Sequence, residues 1–149
     1  MASILQVYGG MLLRGMGQTL LMTLLTLVIA TVIGMIFGLM NVGHNRVLNL
    51  IGTVYVDAIR GVPLIVLAYF VFFGIPAGMQ GMGMTGFRLS ALQAGTIALS
   101  LNCGAYMAEI IRAGIESVDR GQMEASRSLG LSYGSSMALV VVPQAVRTT

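Results

Sequence analysis

Between Arg14 and His44 the chain runs for 29 residues without a charge, centred on "QTLLMTLLTLVIATVIGMIFGLM". A helix of ~20 apolar residues already crosses the hydrocarbon of a bilayer, so this stretch predicts a first membrane span. It is too long for the core of a secretory signal, no basic cluster precedes it and no small-residue cleavage site follows it, so it reads as a retained helix. Two more uncharged runs follow. One goes from Gly61 to Phe87, densest in "PLIVLAYFVFFGIP"; the other goes from Leu89 to Ala108. Three spans are therefore expected. A chain that is 56% hydrophobic and 9% charged agrees with them, and excludes the basic density of a nucleic-acid binder.

All eight basic residues are arginines, and their positions give an orientation. Loops that keep arginine tend to stay on the cytoplasmic side. With the N-terminus outside, the inner segments hold Arg46, Arg60, Arg112, Arg120, Arg127 and Arg147, and the outer ones hold Arg14 and Arg88. The expectation is an extracytoplasmic N-terminus, with residues 1–14 outside and the polar stretch after Arg112 inside.

Small residues recur inside the runs. Gly34 and Gly38 form a G-x-x-x-G, and Gly95, Ser100 and Gly104 punctuate the third span. Either they bring helix backbones close together, or they reflect the ordinary abundance of glycine in membrane helices. Gly81, Gly83 and Gly86 spell G-x-G-x-x-G, but after an apolar span and Pro76 instead of a strand, so an external loop is the better reading. A phosphate-cradling P-loop needs a lysine and the chain has none, so any ATP chemistry belongs to another subunit. His44 has no companion at metal-ligand spacing, and with Asn41, Asn45 and Arg46 it reads as a polar turn. Cys103 is a small packing residue.

Two pairs of opposite charge flank the later spans. Asp57 with Arg60 opens the second and Glu109 with Arg112 closes the third, each at i, i+3, where side chains meet on a helix surface. Charges at helix ends can simply snorkel to the interface. A carboxylate drifting to mid-membrane costs about 2.5–3.5 kcal/mol, so Glu109 is expected to be paired or in a polar contact.

The stretch "GQMEASRSLGLSYG" is a polar module in an otherwise apolar chain. Glu116, Arg120 and Glu124 recur at i, i+4 and Arg127 follows three later, which predicts a helix with a self-compensating charged ridge. Gly130 falls where a C-cap glycine ends a helix, Ser132 can cap the next, and "MALVVV" leads on to Pro143. The expected shape is helix, sharp turn, helix, with the turn protruding.

At these residues the chain resembles the permease subunits of bacterial ATP-binding-cassette importers, in particular the polar amino acid type. Glu124-Ala125, Gly130 and Pro143 are spaced as in the family's EAA loop. "TLLMTLLTLVIATVIGMIFG", "AIRGVPLIVL" with Arg60, Gly61 and Pro63, and "AYMAEIIRAGIESVDRGQMEA" match the amino acid branch. The resemblance covers roughly residues 15–149.

It implies an all-α, multi-pass helical bundle in the bacterial inner membrane, non-enzymatic in this chain and free of cofactors, with ATP and Mg on a partner. The implied partners are an ATPase dimer, a second permease subunit, an extracytoplasmic solute-binding protein, membrane lipid and a polar amino acid, with no nucleic acid. It assigns ATPase coupling to a loop at about 113–142, through Gly121, Glu124, Ala125, Ser126, Gly130 and Pro143, and makes Asp57, Arg60, Gly61, Pro63, Glu109 and Arg112 structural or gating candidates. Ser126 stands where the family usually has a second alanine. The family's core has about five spans of ~20 residues, so the resemblance implies a transmembrane domain over 15–149 that is incomplete at its C-terminal end. A permease for another small solute and a truncated, non-transporting scaffold are the alternative readings.

Overall fold

The computed structural model describes residues 2–43 and 45–148, with side chains for 8–43 and 45–147; the expected role of His44 in a polar turn lies outside the described residues. Among the described residues, eight α-helices follow in order: α1 (Ala2–Val42), α2 (Arg46–Gly61), α3 (Leu64–Tyr69), α4 (Ile75–Gly81), α5 (Ala91–Glu116), α6 (Arg120–Ser128), α7 (Tyr133–Ser136) and α8 (Val142–Thr148). Two π-turns, Phe70–Gly74 and Met137–Val141, join α3 to α4 and α7 to α8. Among the described residues, three helical runs are long and apolar enough to cross a membrane: Tyr8–Val42, Leu64–Gly81 and Ala91–Glu116. These are the three expected spans.

Residues 2–14 are continuous with the first span, in a helix of 41 residues, roughly 60 Å at 1.5 Å per residue. Three of its four threonines are accommodated locally: Thr19, Thr23 and Thr31 each donate to the carbonyl four residues back, which satisfies the hydroxyl within the helix. α5 starts at a reciprocal capping box, with Ser90 accepting from the Gln93 amide and the Gln93 side chain accepting from Ser90 N–H.

α1 and α5 run side by side in the same direction, and small residues set their distance. A Cβ built on Gly34 would lie 2.6 Å from Met107 Cβ, and one on Gly38 would lie 3.0 Å from the Ala108 carbonyl oxygen. Of the two sequence readings, close helix approach is therefore the one realised at Gly34 and Gly38. α3 runs the opposite way against α5, with Leu67 and Val71 buried on Ala94 and Ala98.

Both π-turns end two residues before a proline, Pro76 and Pro143. Proline cannot donate to the carbonyl four residues back and its ring collides with that carbonyl. One extra residue per turn relieves the conflict: Ile75 N–H bonds Phe70 and Val142 N–H bonds Met137, each five residues back. Pro143 thus sits inside a continuous helical run and does not begin one. The loop with Gly83 and Gly86 connects two helices, with φ of 93° and 92° at these glycines.

Candidate functional site

The sequence leaves the segment between the first two spans unassigned; it forms α2, a helix with one polar face. Asn45 caps it, accepting from the amides of Val47 and Leu48. α2 folds back along α1: Tyr55 stacks on Phe37 at 4.0 Å between ring centroids, and Asn49 Nδ2 donates to the Asn41 carbonyl. Tyr55 also reaches α5, where its hydroxyl donates to the Leu101 carbonyl at 2.8 Å. α2 ends at Gly61 because Pro63 forces Val62 into the extended region. Asp57 and Arg60 therefore stand on the last turns of α2, just before a break, and the second span starts afresh at Leu64.

At that break four charged residues form a chain. Arg112 Nε and Nη2 donate to the two oxygens of Glu109 at 3.2 and 2.5 Å, while Nη1 donates to Glu116 at 2.7 Å. Arg60 Nη1 lies 3.7 Å from Glu109 Oε2, and its guanidinium stands 5.2 Å above the Tyr106 ring. Glu109 is thus paired, as expected, and holds two guanidinium groups at once. The expected Asp57–Arg60 pair is not formed: Arg60 crosses to α5, where a carboxylate and an aromatic face both receive it, and no ion pair among the described residues includes Asp57. Asp57, Arg60, Glu109 and Arg112 nevertheless line one cleft of about 270 Å³ together with Asn41 and Thr53.

The polar module also departs from its predicted form. Glu116 ends α5, and Ser117, Val118 and Asp119 turn the chain before α6 begins at Arg120. The predicted ridge from Glu116 to Glu124 is therefore divided between two helices. The physical cause is competition: Arg112 holds Glu116, Ser117 Oγ bonds back to the Gly114 carbonyl, and Asp119 accepts from the Gly121 amide at 2.7 Å as the cap of a new helix.

The turn after α6 follows its expected chemistry. Gly130 has φ of 90°, its amide donates to the Arg127 carbonyl, and the Leu131 amide donates to Ser126. These two bonds make a Schellman motif, in which glycine takes the left-handed position. Ser132 then caps α7 by accepting from the Ser135 amide.

Under the module lies a small apolar core of Ile115, Val141 and Ala145, against which Val42, Met123 and Met137 pack. Gln144 of α8 donates to Gln122 of α6 at 3.3 Å. Glu124, Ala125 and Gly130 face outward. Ser126 does not; it is 4% exposed and its hydroxyl bonds the Met123 carbonyl. Leu129, which the motif reading passed over, is 83% exposed at the tip.

Apolar helices packed through small residues thus carry a capped, protruding helical turn at one end. The chain belongs to the family of binding-protein-dependent transport system inner membrane components, whose model matches residues 30–149. It is 39% identical over 137 residues to the probable glutamine ABC transporter permease protein GlnM of Bacillus subtilis (strain 168), covering 92% of this chain and 60% of that protein. It is 35% identical to the arginine transport system permease protein ArtQ of the same organism, covering 91% and 59%.

A solved structure, the crystal structure of an amino acid ABC transporter with histidines, superposes with a TM-score of 0.82 at 36% identity, covering 98% of this chain and 64% of that one. The chain thus spans about 60% of the length of these curated relatives.

Proposed function

We propose that the chain works as a permease subunit of an ATP-driven, binding-protein-dependent importer of polar amino acids in a bacterial inner membrane. The observation that carries this reading is the α6–α8 module: a Schellman-terminated turn, packed on the ends of α1 and α5 through Ile115, Val141 and Ala145, and presenting Glu124, Ala125, Leu129 and Gly130. The names of the relatives support the amino acid cargo. Arginine placement supports an extracytoplasmic N-terminus and a cytoplasmic module.

In this reading a separate ATPase dimer, carrying ATP and Mg, grips the turn. Closure of that dimer displaces α6. Met123 passes the displacement to Ile115, Val141 and Ala145, and so to the ends of α1 and α5. The ATPase thereby biases two packings of the spans, which is how a ligand bound elsewhere shifts a bistable assembly. Arg60, Glu109 and Arg112 tie the break after α2 to α5, at the end from which the module hangs. A second permease subunit completes the pathway and a solute-binding protein delivers the cargo outside.

The test is reconstitution of the complete permease with its ATPase and binding protein in proteoliposomes, with a panel of labelled amino acids and sugars inside and outside. ATP-dependent amino acid uptake is the expected result. Uptake of a sugar instead would move the cargo to another solute class, and assembly without any uptake would favour the scaffold reading.

A further inference from the structure

The helical run through Pro76 ends in a turn that gathers three methionines around one carbonyl. The last turn of α4 and the loop after it read "GMQGMGMTGF", residues 78–87. The Met79 carbonyl accepts from the Met82 amide at 3.2 Å and from the Met84 amide at 3.1 Å, and the Gln80 carbonyl accepts from the Gly83 amide at 3.0 Å. With Gly83 at φ of 93°, these bonds make a second Schellman motif, which sets the residue after its glycine over the helix residue that its amide bonds. Met84 therefore stands over Met79, and Met82 is the cap residue between them.

The loop is closed as well as turned. Gln80 Nε2 donates to the Phe87 carbonyl at 3.0 Å, and the Thr85 amide donates to the Gly83 carbonyl at 3.0 Å. Packing does not account for the side chains on this fixed turn: Met82 is 77% exposed and Met84 52%, whereas an apolar side chain stabilises a fold by leaving water. What the three share is a thioether, a soft donor with no charge and no proton to lose. From Ala77 to Ser90 the chain has no His, Cys, Asp or Glu, so a hard divalent ion finds no carboxylate in this segment. Arg88 adds a positive charge, which repels a divalent ion more than a univalent one.

We propose that Met79, Met82 and Met84 form an exchangeable site for a soft univalent metal ion, copper(I) or its analogue silver(I), on the loop between the second and third spans. Thioethers select copper(I) among the first-row metals. A filled d shell sets no geometric preference, which suits three flexible side chains on one turn. With the N-terminus outside, as the arginines indicate, the loop is open to the external medium. The proposal goes beyond the importer reading and does not depend on it.

The experiment titrates silver(I) nitrate, an air-stable probe, into the full chain in chloride-free detergent by calorimetry. It uses the Cys103→Ser background at about pH 5, where the thiol is gone and an imidazole is protonated and cannot ligate. One silver ion per chain is expected to bind and to raise the melting temperature. Leucine keeps the size and apolarity of methionine without the sulfur. Met82→Leu or Met84→Leu should therefore leave the metal-free melting temperature unchanged and weaken binding about tenfold or more, one donor of three being lost. Replacing Met79, Met82 and Met84 by leucine together should abolish the one-to-one binding. Copper(I), delivered from a chromogenic chelator, should follow the same order across the variants.

Silver binding that survives the triple replacement belongs to the remaining methionines and overturns the assignment. Single variants that bind as tightly as their parent overturn it too, as does displacement of silver by zinc(II), which would mean that the donors are not soft.

Discussion

Gly104 of α5 faces Ile33 of α1 so closely that a Cβ on the glycine would lie 2.6 Å from Ile33 Cγ2. Gly34, the next residue of α1, sits in turn beneath Met107. Each helix thus offers a bare backbone patch to a side chain of the other, and dispersion contacts along this seam hold two spans that share no hydrophobic drive in lipid.

Enlarging Gly34 should force the seam open. For Gly34→Leu the expected cost is about 1–3 kcal/mol, the range for overpacking a close-packed site, with α1 and α5 separating before the other helices. Thermal unfolding in detergent checks the magnitude. A melting temperature equal to that of the wild type would show that the two backbones do not need their closeness.

Glu109→Gln removes the one carboxylate shared by Arg60 and Arg112. These side chains are 29–37% exposed, so solvent screens them and each pair contributes about 1 kcal/mol or less. Folding should survive, while ATP-dependent uptake falls because the α2 break is no longer held to α5. Uptake and melting temperature measured together separate these effects; a large loss of stability with normal uptake per folded molecule would contradict the prediction.

Gly130→Leu places a branched side chain at φ of 90°, a strain of about 1–2 kcal/mol for an L-residue. The Schellman bonds to Arg127 and Ser126 should weaken and the tip should lose its shape. Membrane insertion should be unaffected, and ATPase co-purification should drop about tenfold, as 1.4 kcal/mol implies. Retained capture would argue that the turn is not gripped.

Leu129→Asp tests the same surface without touching the backbone. The residue buries little, so the variant should fold as the wild type does, within about 0.5 kcal/mol. An apolar anchor at an interface commonly contributes 2 kcal/mol or more, so loss of ATPase capture at unchanged stability is the expected pattern. Normal capture would assign the exposed leucine no part in docking.

Much of this architecture was legible from uncharged run lengths, because a bilayer admits few alternatives to a helix. The turn at Gly130 and Ser132 was equally plain, since its residues are chosen by local backbone chemistry. What was hidden depends on neighbours. Spacing at i, i+3 spoke only of Arg60's own helix, so its crossing to Glu109 and Tyr106 was out of reach. The break at Ser117–Asp119 was masked by an i, i+4 charge pattern that runs through it, although a serine and an aspartate two apart are helix-capping types that could have signalled it. α2 lay between two charge-bearing ends and was too short and too polar to register as a span; its apolar residues Val47, Ile51, Val54 and Ala58 recur at helical spacing. The motif around Glu124 named Ser126 without saying which way it points.

Two of the three prolines, Pro76 and Pro143, divide the helices by stiffness. α1 and α5 are uninterrupted and pinned glycine to side chain, so they swing as one beam. The helical runs through Pro76 and Pro143 each have a widened turn and a missing amide, which leaves them pliant at one level apiece. When such an assembly is pushed from its end, bending concentrates at those two levels, and the beam sets the axis about which they flex.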